Sequence, residues 1–217
     1  MPDHPHPAPY GDRHIEIARK WLPAADYPLV MDVFGGTGKI HDLPQQTLAC
    51  ELEPEWAAMH PNTHIGDATA LTYPNGAFDA ICTSPAWGNR LADKFIPSAG
   101  DKSKRWTYRI SLGRELTEGS GASMQWGQGY RDLHAKAWAE AWRTIRPSGR
   151  LMINIANHIR GGEEQRVTEW HLATCVGLGF QYVDMVDVHG PRMTFGRNGQ
   201  KRCQEVFLIV DKPGDVS

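Results

Sequence analysis

Three acidic residues, each at the end of a predicted strand or shortly after it, could bind a nucleoside. Asp32 stands near the end of the apolar run 28–34, which leads into the glycine-rich turn 35–38, within the stretch DVFGGTGK at residues 32–39. Glycines directly after a strand let the backbone turn tightly and approach a ligand closely. Glu51 lies about 20 residues beyond Asp32, where a carboxylate can accept both hydroxyls of a ribose, and Glu53 is the neighbouring candidate. Asp67, after a third short strand, is placed to accept from an adenine amino group.

Two phosphate-binding patterns fit the glycine turn poorly. A P-loop needs a glycine at position 33 and a Ser or Thr at position 40, where this chain has Val33 and Ile40. The dinucleotide fingerprint needs a glycine at position 41, where the chain has His41. The functional interpretation of the turn therefore depends on the acid after the second strand.

A second motif, TSPAWGNR at residues 83–90, follows the predicted strand 78–83. In open parallel sheets, ligands bind at the carboxyl ends of the strands. Here a proline-containing turn presents the Ser84 hydroxyl, the Pro85 carbonyl and the Trp87 ring. Two acceptors beside a large aromatic ring can bind an exocyclic amino group while the ring stacks on the base that carries it.

Together the two motifs resemble those of class I S-adenosylmethionine-dependent methyltransferases, and among them the DNA amino-methyltransferases that act on adenine-N6 or cytosine-N4. The signature of that family is (Asp/Asn/Ser)-Pro-Pro-(Tyr/Phe/Trp), and this chain has Ala86 at the second proline. Ser84 in the first position favours cytosine-N4 over adenine-N6. The resemblance implies S-adenosyl-L-methionine as cofactor, with catalytic residues Ser84, Pro85 and Trp87 and cofactor-binding residues Asp32, Phe34, Gly35, Gly36, Gly38, Glu51, Asp67 and Ser84.

Because the carbonyl that serves the chemistry belongs to Pro85, Ala86 predicts a looser loop with the site retained. Three alternatives stay open at this point. The target could be an RNA guanine, or a protein glutamine, whose methyltransferases show Asn-Pro-Pro-Tyr. The chain could also be a catalytically decayed relative that still binds nucleic acid.

The segment 88–129 is predicted to be a long loop or insertion that contacts substrate, since the resemblance leaves no room for a separate recognition domain. Residues 88–150 hold twelve Lys or Arg against six acids, a charge of +6 in a chain whose net charge is −2. Basic residues with interleaved aromatics suit a polyanion such as DNA, either a duplex with a flipped base or a single strand. The predicted substrate-binding residues are Trp87, Asn89, Arg90, Trp106, Arg192 and Arg202.

Alternating strand and helix patterns predict one α/β domain over residues 1–217, with a mostly parallel sheet and helices on both faces. The resemblance to class I methyltransferases implies that this sheet is Rossmann-like and seven-stranded. Two terminal strands, 181–188 and 204–210, have no helix between them and predict an antiparallel hairpin. Residues 163–178 are predicted to form one helix.

Composition indicates an ordinary globular chain, with 41% hydrophobic and 22% charged residues. No run approaches the ~20 apolar residues of a membrane span, and residues 1–6 lack the apolar core of a signal peptide. We therefore expect a cytoplasmic protein without a membrane partner. The four cysteines are scattered singly, and no histidine pair at i,i+4 has an acid between its members, so we expect no metal.

Overall fold

The computed structural model describes residues 6, 10–92, 107–189, 192–193 and 202–215. Among these, no helix has the length and apolar character needed to cross a bilayer. In chain order the elements are α1 (Asp12–Trp21), β1 (Leu29–Asp32), β2 (Gln46–Glu51), α2 (Pro54–Ala57), β3 (Thr63–Ile65), β4 (Phe78–Thr83), α3 (Tyr108–Leu112), α4 (Gln128–Thr144), β5 (Ile145–Ala156), β6 (His158–Arg160), β7 (Glu163–Gln165), α5 (Val167–Gly177), β8 (Gln181–Asp187), β9 (Arg192–Met193), β10 (Arg202–Cys203) and β11 (Glu205–Asp211).

Seven of these strands form one sheet in the order β3-β2-β1-β4-β5-β11-β8. The pairs from β3 to β5 are parallel, whereas β11 is antiparallel to both β5 and β8. This confirms the predicted mostly parallel sheet with a C-terminal antiparallel pair. The sheet order changes direction at β1, with β2 on one side and β4 on the other, and ligands bind at such a switch point in open α/β sheets.

The central strands are buried on both faces because helices cover both. Successive strand residues point to opposite faces, so Met31 and Ile81 join the core cluster that holds Trp138 of α4. Val30 belongs instead to the cluster that holds Ile15 of α1. Helix α1 therefore covers one face and α4 with α5 the other, which leaves the carboxyl ends of the strands open.

The predicted helix at residues 163–178 is wrong in its first turn. Strands β6 and β7 form a hairpin there, with His158 paired to Gln165, and helix α5 begins only at Val167. The two residues of the turn are Gly161 and Gly162, with φ of 60° and 85°. Two central residues with positive φ are what a tight hairpin turn requires, and glycine adopts them without steric cost.

The predicted insertion at 88–129 is partly structured. It contains helix α3, which the sequence pattern did not indicate, and short 3-10 turns at Arg90–Ala92 and Gly121–Ser123. Residues 93–106 lie outside the described residues. The part after α3 is fastened to α2, because Arg114 donates to Glu55 at 2.7 Å and to Glu53 at 2.8 Å.

Candidate functional site

A cleft of about 390 Å³ opens at the carboxyl ends of β1, β2 and β4. Three strand ends supply its polar groups, because parallel strands that lie side by side bring their last residues to one edge. Of the residues predicted from sequence, those that line the cleft are Asp32, Phe34, Gly35, Gly36, Glu51, Asp67, Ser84, Pro85, Trp87 and Asn89. Gly38 is not among the lining residues: a Cβ there would lie 2.8 Å from the Cβ of His60, so it serves packing beneath the turn.

Asp32 ends β1 with a buried carboxylate. Its Oδ1 accepts a hydrogen bond from the Thr83 hydroxyl at 2.6 Å and another from the Phe34 backbone N–H at 3.0 Å. Burial raises the pKa of the Asp32 carboxyl to about 7, against these two hydrogen bonds, which lower it. A cation brought into the cleft would favour the ionised form of this carboxyl.

Glu51 and Glu53, which the sequence left as alternatives, have different surroundings. Glu51 lines the cleft, and its two oxygens accept from the backbone N–H groups of Gly36 at 2.8 Å and Glu53 at 2.9 Å. Glu53 is fully buried, and its oxygens accept from Arg114 and from the backbone and hydroxyl of Thr117. Glu51 therefore faces the cleft, while the Glu53 carboxylate holds the insertion through Arg114 and Thr117.

Asp67 follows β3 on the same wall of the cleft. Its Oδ1 accepts from both the backbone N–H and the hydroxyl of Thr69, each at 2.8 Å, which holds the exposed carboxylate in a tight turn. Gly66 before it packs on β2, since a Cβ there would lie 2.8 Å from Cys50 Sγ. The acid is thereby held close to the strand that carries Glu51.

The turn after β4 presents Ser84 and Trp87 to the same cleft. The Ser84 hydroxyl donates to Asn154 Oδ1 at 3.1 Å, and the half-buried Trp87 packs against the core cluster under α4. Gly88 has φ of 64°, and its carbonyl accepts a hydrogen bond from the backbone N–H of Trp126 at 2.8 Å. This bond holds the insertion against the turn after β4. Ala86, in place of a proline, packs against the apolar cluster around α3.

Sequence reasoning missed three polar residues that line the acceptor side of the cleft. These are Asn154 in β5, Glu205 in β11 and His14 in α1, all buried. A signal existed for the first two, since each is a polar residue in or beside an otherwise apolar strand. The sequence alone does not show that these two polar residues lie close together, because only the order of strands in the sheet places β11 beside β5.

An aromatic wall, also missed, closes the cleft beside Glu51. The rings of Trp56, Tyr108 and His6 meet there, with the His6 and Trp56 centroids 4.4 Å apart. The Trp56 indole N–H is buried and has no hydrogen-bond partner within the part of the chain that the structure describes. A buried donor without a partner beside a cleft suits a ligand that has both a flat ring and acceptor atoms.

A possible metal-binding group, His14, His189 and Glu205, has ligand atoms within 4.8 Å of one another. The Gly11 N–H donates to His14 Nδ1 at 3.0 Å, so the neutral ring carries its proton on Nε2. That proton points at Glu205 Oε1, 2.7 Å away. The arrangement is a hydrogen-bonded pair, since a cation would need the Nε2 lone pair.

The remaining predicted substrate residues lie on segments that the structure describes little. Asn89 lines the cleft, and its Oδ1 accepts from the Leu91 N–H at 2.9 Å. Trp106 and the side chains of Arg90, Arg192 and Arg202 lie outside the described residues.

No protein-family model and no curated protein sequence matches this chain. Solved structures do. A S-adenosylmethionine-dependent methyltransferase of Methanosarcina mazei has a TM-score of 0.55 at 11% identity, covering 92% of this chain and 98% of that one. The geranyl diphosphate C-methyltransferase of Streptomyces coelicolor has a TM-score of 0.56 at 11% identity, covering 93% and 79%. The fold is that of class I methyltransferases.

The methyltransferase fold does not by itself select a substrate. The cyclase SpnF is also similar, with a TM-score of 0.60 at 16% identity, covering 94% of this chain and 82% of that one. One fold thus carries a cyclase and a methyltransferase of geranyl diphosphate, and none of these neighbours is named as acting on DNA. The substrate of this chain has to be argued from its own side chains.

Proposed function

We propose that this chain is a S-adenosylmethionine-dependent methyltransferase that modifies an exocyclic amino group of a DNA base, cytosine-N4 in preference to adenine-N6. One observation carries the proposal. The Ser84-Pro85-Ala86-Trp87 turn and the three acids Asp32, Glu51 and Asp67 line one cleft at the switch point of the sheet. A nucleoside cofactor and a planar amino substrate would therefore meet in one place.

The cleft residues fit the proposed cofactor. Glu51 would accept from the ribose hydroxyls, and Asp67 from the adenine amino group, beside the aromatic wall with its unpartnered Trp56 N–H. The buried Asp32 carboxylate would face the methionine ammonium. When bound, S-adenosylmethionine supplies a methyl group on a positively charged sulfur, which an amino nitrogen can attack.

The turn after β4 fits the proposed target. Trp87 would stack on the base, an interaction worth roughly 1–3 kcal/mol per base. The Ser84 oxygen and the Pro85 carbonyl would accept the two amino hydrogens and so direct the nitrogen lone pair toward the methyl group. Catalysis here is mainly a matter of orientation, because holding the reacting atoms in line replaces a costly bimolecular encounter.

DNA is the proposed substrate because of the insertion that borders the cleft. Trp126 packs under Arg131, whose guanidinium carbon lies 4.6 Å from the ring centroid, and the Trp126 N–H holds the Gly88 carbonyl directly beside the target turn. A cation on an aromatic ring suits a phosphate that neighbours a stacked base. The target base would be flipped from a duplex or taken from a single strand.

Transfer of a radiolabelled methyl group from S-adenosylmethionine to unmethylated DNA, duplex and single-stranded, tests the proposal. Nucleoside analysis should find the label in N4-methylcytosine. The Ser84→Ala and Trp87→Ala variants should lose transfer. Calorimetry of Trp87→Ala should show a cofactor affinity within about threefold of the wild type, because Trp87 is assigned to the target base and not to the cofactor.

Label in N6-methyladenine would correct the base and keep the substrate class. Label absent from DNA but present in RNA or in protein glutamine would overturn the DNA assignment. Cofactor binding without transfer to any of the three would identify the decayed relative.

A further inference from the structure

A chain of buried hydrogen bonds leads away from Ser84 into the sheet. The Ser84 hydroxyl lies 3.1 Å from Asn154 Oδ1, and Asn154 Nδ2 lies 3.3 Å from both Glu205 Oε1 and the Val206 carbonyl. Glu205 Oε1 in turn lies 2.7 Å from His14 Nε2. Asn154 is 1% exposed and Glu205 3%, so the inner part of this chain of hydrogen bonds is buried.

The direction of each hydrogen bond in this chain is determined. The Val206 carbonyl can only accept, and Glu205 Oε1 already accepts from His14, whose Nδ1 is occupied by the Gly11 N–H. The Asn154 amide must therefore turn its nitrogen toward these acceptors. Its oxygen then faces Ser84, and the single Ser84 proton is donated to it.

We propose that Asn154 is a positioning residue that fixes Ser84 as an acceptor only, so that the turn after β4 selects an amino group and rejects a carbonyl at the same place. The inference rests on the proposed function and deepens it. A serine hydroxyl that could rotate would serve either kind of group. With its proton committed to Asn154, Ser84 offers only lone pairs to the cleft.

Two pairs of related bases distinguish a Ser84 hydroxyl that only accepts from one that can rotate. Cytosine and uracil differ at C4, and adenine and hypoxanthine at C6, where an amino group is replaced by a carbonyl. A carbonyl would set its lone pairs against those of Ser84 and of the Pro85 carbonyl. Sites built to bind an N–H reject analogues that lack it, and we expect the wild type to prefer the amino base by at least about tenfold.

The experiment measures binding of fluorescent single-stranded oligonucleotides by anisotropy, in the presence of S-adenosylhomocysteine. One oligonucleotide contains cytosine and its partner has uracil at every cytosine; a second pair exchanges adenine for hypoxanthine. The Asn154→Leu variant keeps the shape but removes the acceptor. We expect its amino-over-carbonyl ratio to fall at least about threefold, since the freed Ser84 hydroxyl can donate to the carbonyl while Pro85 still opposes it.

The Asn154→Asp variant is the matched control. Beside the Glu205 carboxylate its carboxyl takes up a proton, because two buried like charges raise the pKa of one of them. A protonated carboxyl donates toward Glu205 and still accepts from Ser84. The wild-type ratio should therefore return, whereas a purely structural role for Asn154 would give both variants the same ratio.

A ratio that is unchanged in Asn154→Leu, with cofactor binding intact, would overturn the inference. If Asn154→Leu does not fold, the same ratio is measured for Ser84→Ala. The amino-over-carbonyl ratio should fall in this variant if the Ser84 hydroxyl acts only as an acceptor. It should not change if the hydroxyl can rotate and serve both kinds of group. Failure of the wild type to transfer methyl to any nucleic acid is a different result, which overturns the proposed function itself.

Discussion

The two halves of the cleft hold their polar groups in opposite ways. In the cofactor half, defined by Asp32, Glu51 and Asp67, each carboxylate accepts from a backbone N–H two residues further along the chain, and Asp32 also accepts from the Thr83 hydroxyl, 51 positions away. In the acceptor half, defined by Ser84, Asn154, Glu205 and His14, the hydrogen bonds join residues 51 to 191 positions apart.

The difference shows how each half depends on the rest of the fold. A carboxylate that caps its own turn keeps its orientation wherever the strand ends. Ser84 keeps its orientation only while β4, β5, β11 and α1 stay packed together. We therefore expect changes in the cofactor half to affect ligand affinity with little effect on stability, and changes at the borders of the acceptor half to affect both.

The largest expected effect tests the cofactor half directly. Glu51→Gln should weaken S-adenosylmethionine binding about a hundredfold, since hydrogen bonds to a charged group contribute about 1.5–3 kcal/mol each and two ribose hydroxyls are involved. Isothermal calorimetry measures the affinity. The free energy of unfolding should fall by about 1–2 kcal/mol, because a glutamine side chain can accept from only one of the two backbone N–H groups that Glu51 binds. A larger fall in stability would contradict the local character of this half.

Gly88→Ala should disturb the border of the acceptor half. The added Cβ would lie 2.8 Å from the Trp126 backbone nitrogen, and Gly88 has a positive φ that costs other residues about 1–2 kcal/mol. We expect a loss of more than about 2 kcal/mol in urea unfolding, with lower transfer activity. Gly113→Ala is the control, because it has φ of 71° with open space around it, and it should lose only the conformational part.

Glu53→Gln contrasts with Glu51→Gln although the two acids are neighbours. Glu53 is fully buried and pairs with the partly exposed Arg114, so we expect about 2 kcal/mol of lost stability, less than for a fully buried pair because Arg114 keeps Glu55. Cofactor affinity should change less than about fivefold. A hundredfold loss here, with Glu51→Gln mild, would exchange the roles given to the two acids.

The smallest expected effect is a pH dependence of Asp32. Its pKa of about 7 in the folded chain means that cofactor affinity, which needs the ionised carboxyl opposite an ammonium, should fall by about tenfold per pH unit below 7. The free energy of unfolding should change with pH in the opposite direction. A folded-state pKa raised above the unfolded value gives stability that is lost as pH rises toward 7. Asp32→Asn should remove both slopes, and slopes of the same sign would contradict this role.

Sequence alone predicted most of the sheet and several of the residues that line the cleft, among them Asp32, Glu51 and Asp67. The glycine turn follows β1 directly, and each of the three acids accepts from a backbone N–H two residues further along the chain, so this part of their pattern is local and readable. The Ser84-Pro85-Ala86-Trp87 turn was found for the same reason. The sequence analysis did not predict the hairpin β6–β7, although Gly161 and Gly162 are typical of a tight turn. The predicted helix began at residue 163, whereas α5 begins only at Val167.

Tertiary structure decided what short patterns cannot encode. It turned Glu51 to the cleft and gave Glu53 to Arg114, a choice between neighbours that depends on where the insertion packs. It also brought Asn154 and Glu205 together by placing β11 between β5 and β8, and set His14 against them from α1. The physical reason is that a local turn is fixed by the backbone geometry of a few residues, whereas a buried hydrogen-bond chain exists only once distant strands are packed side by side.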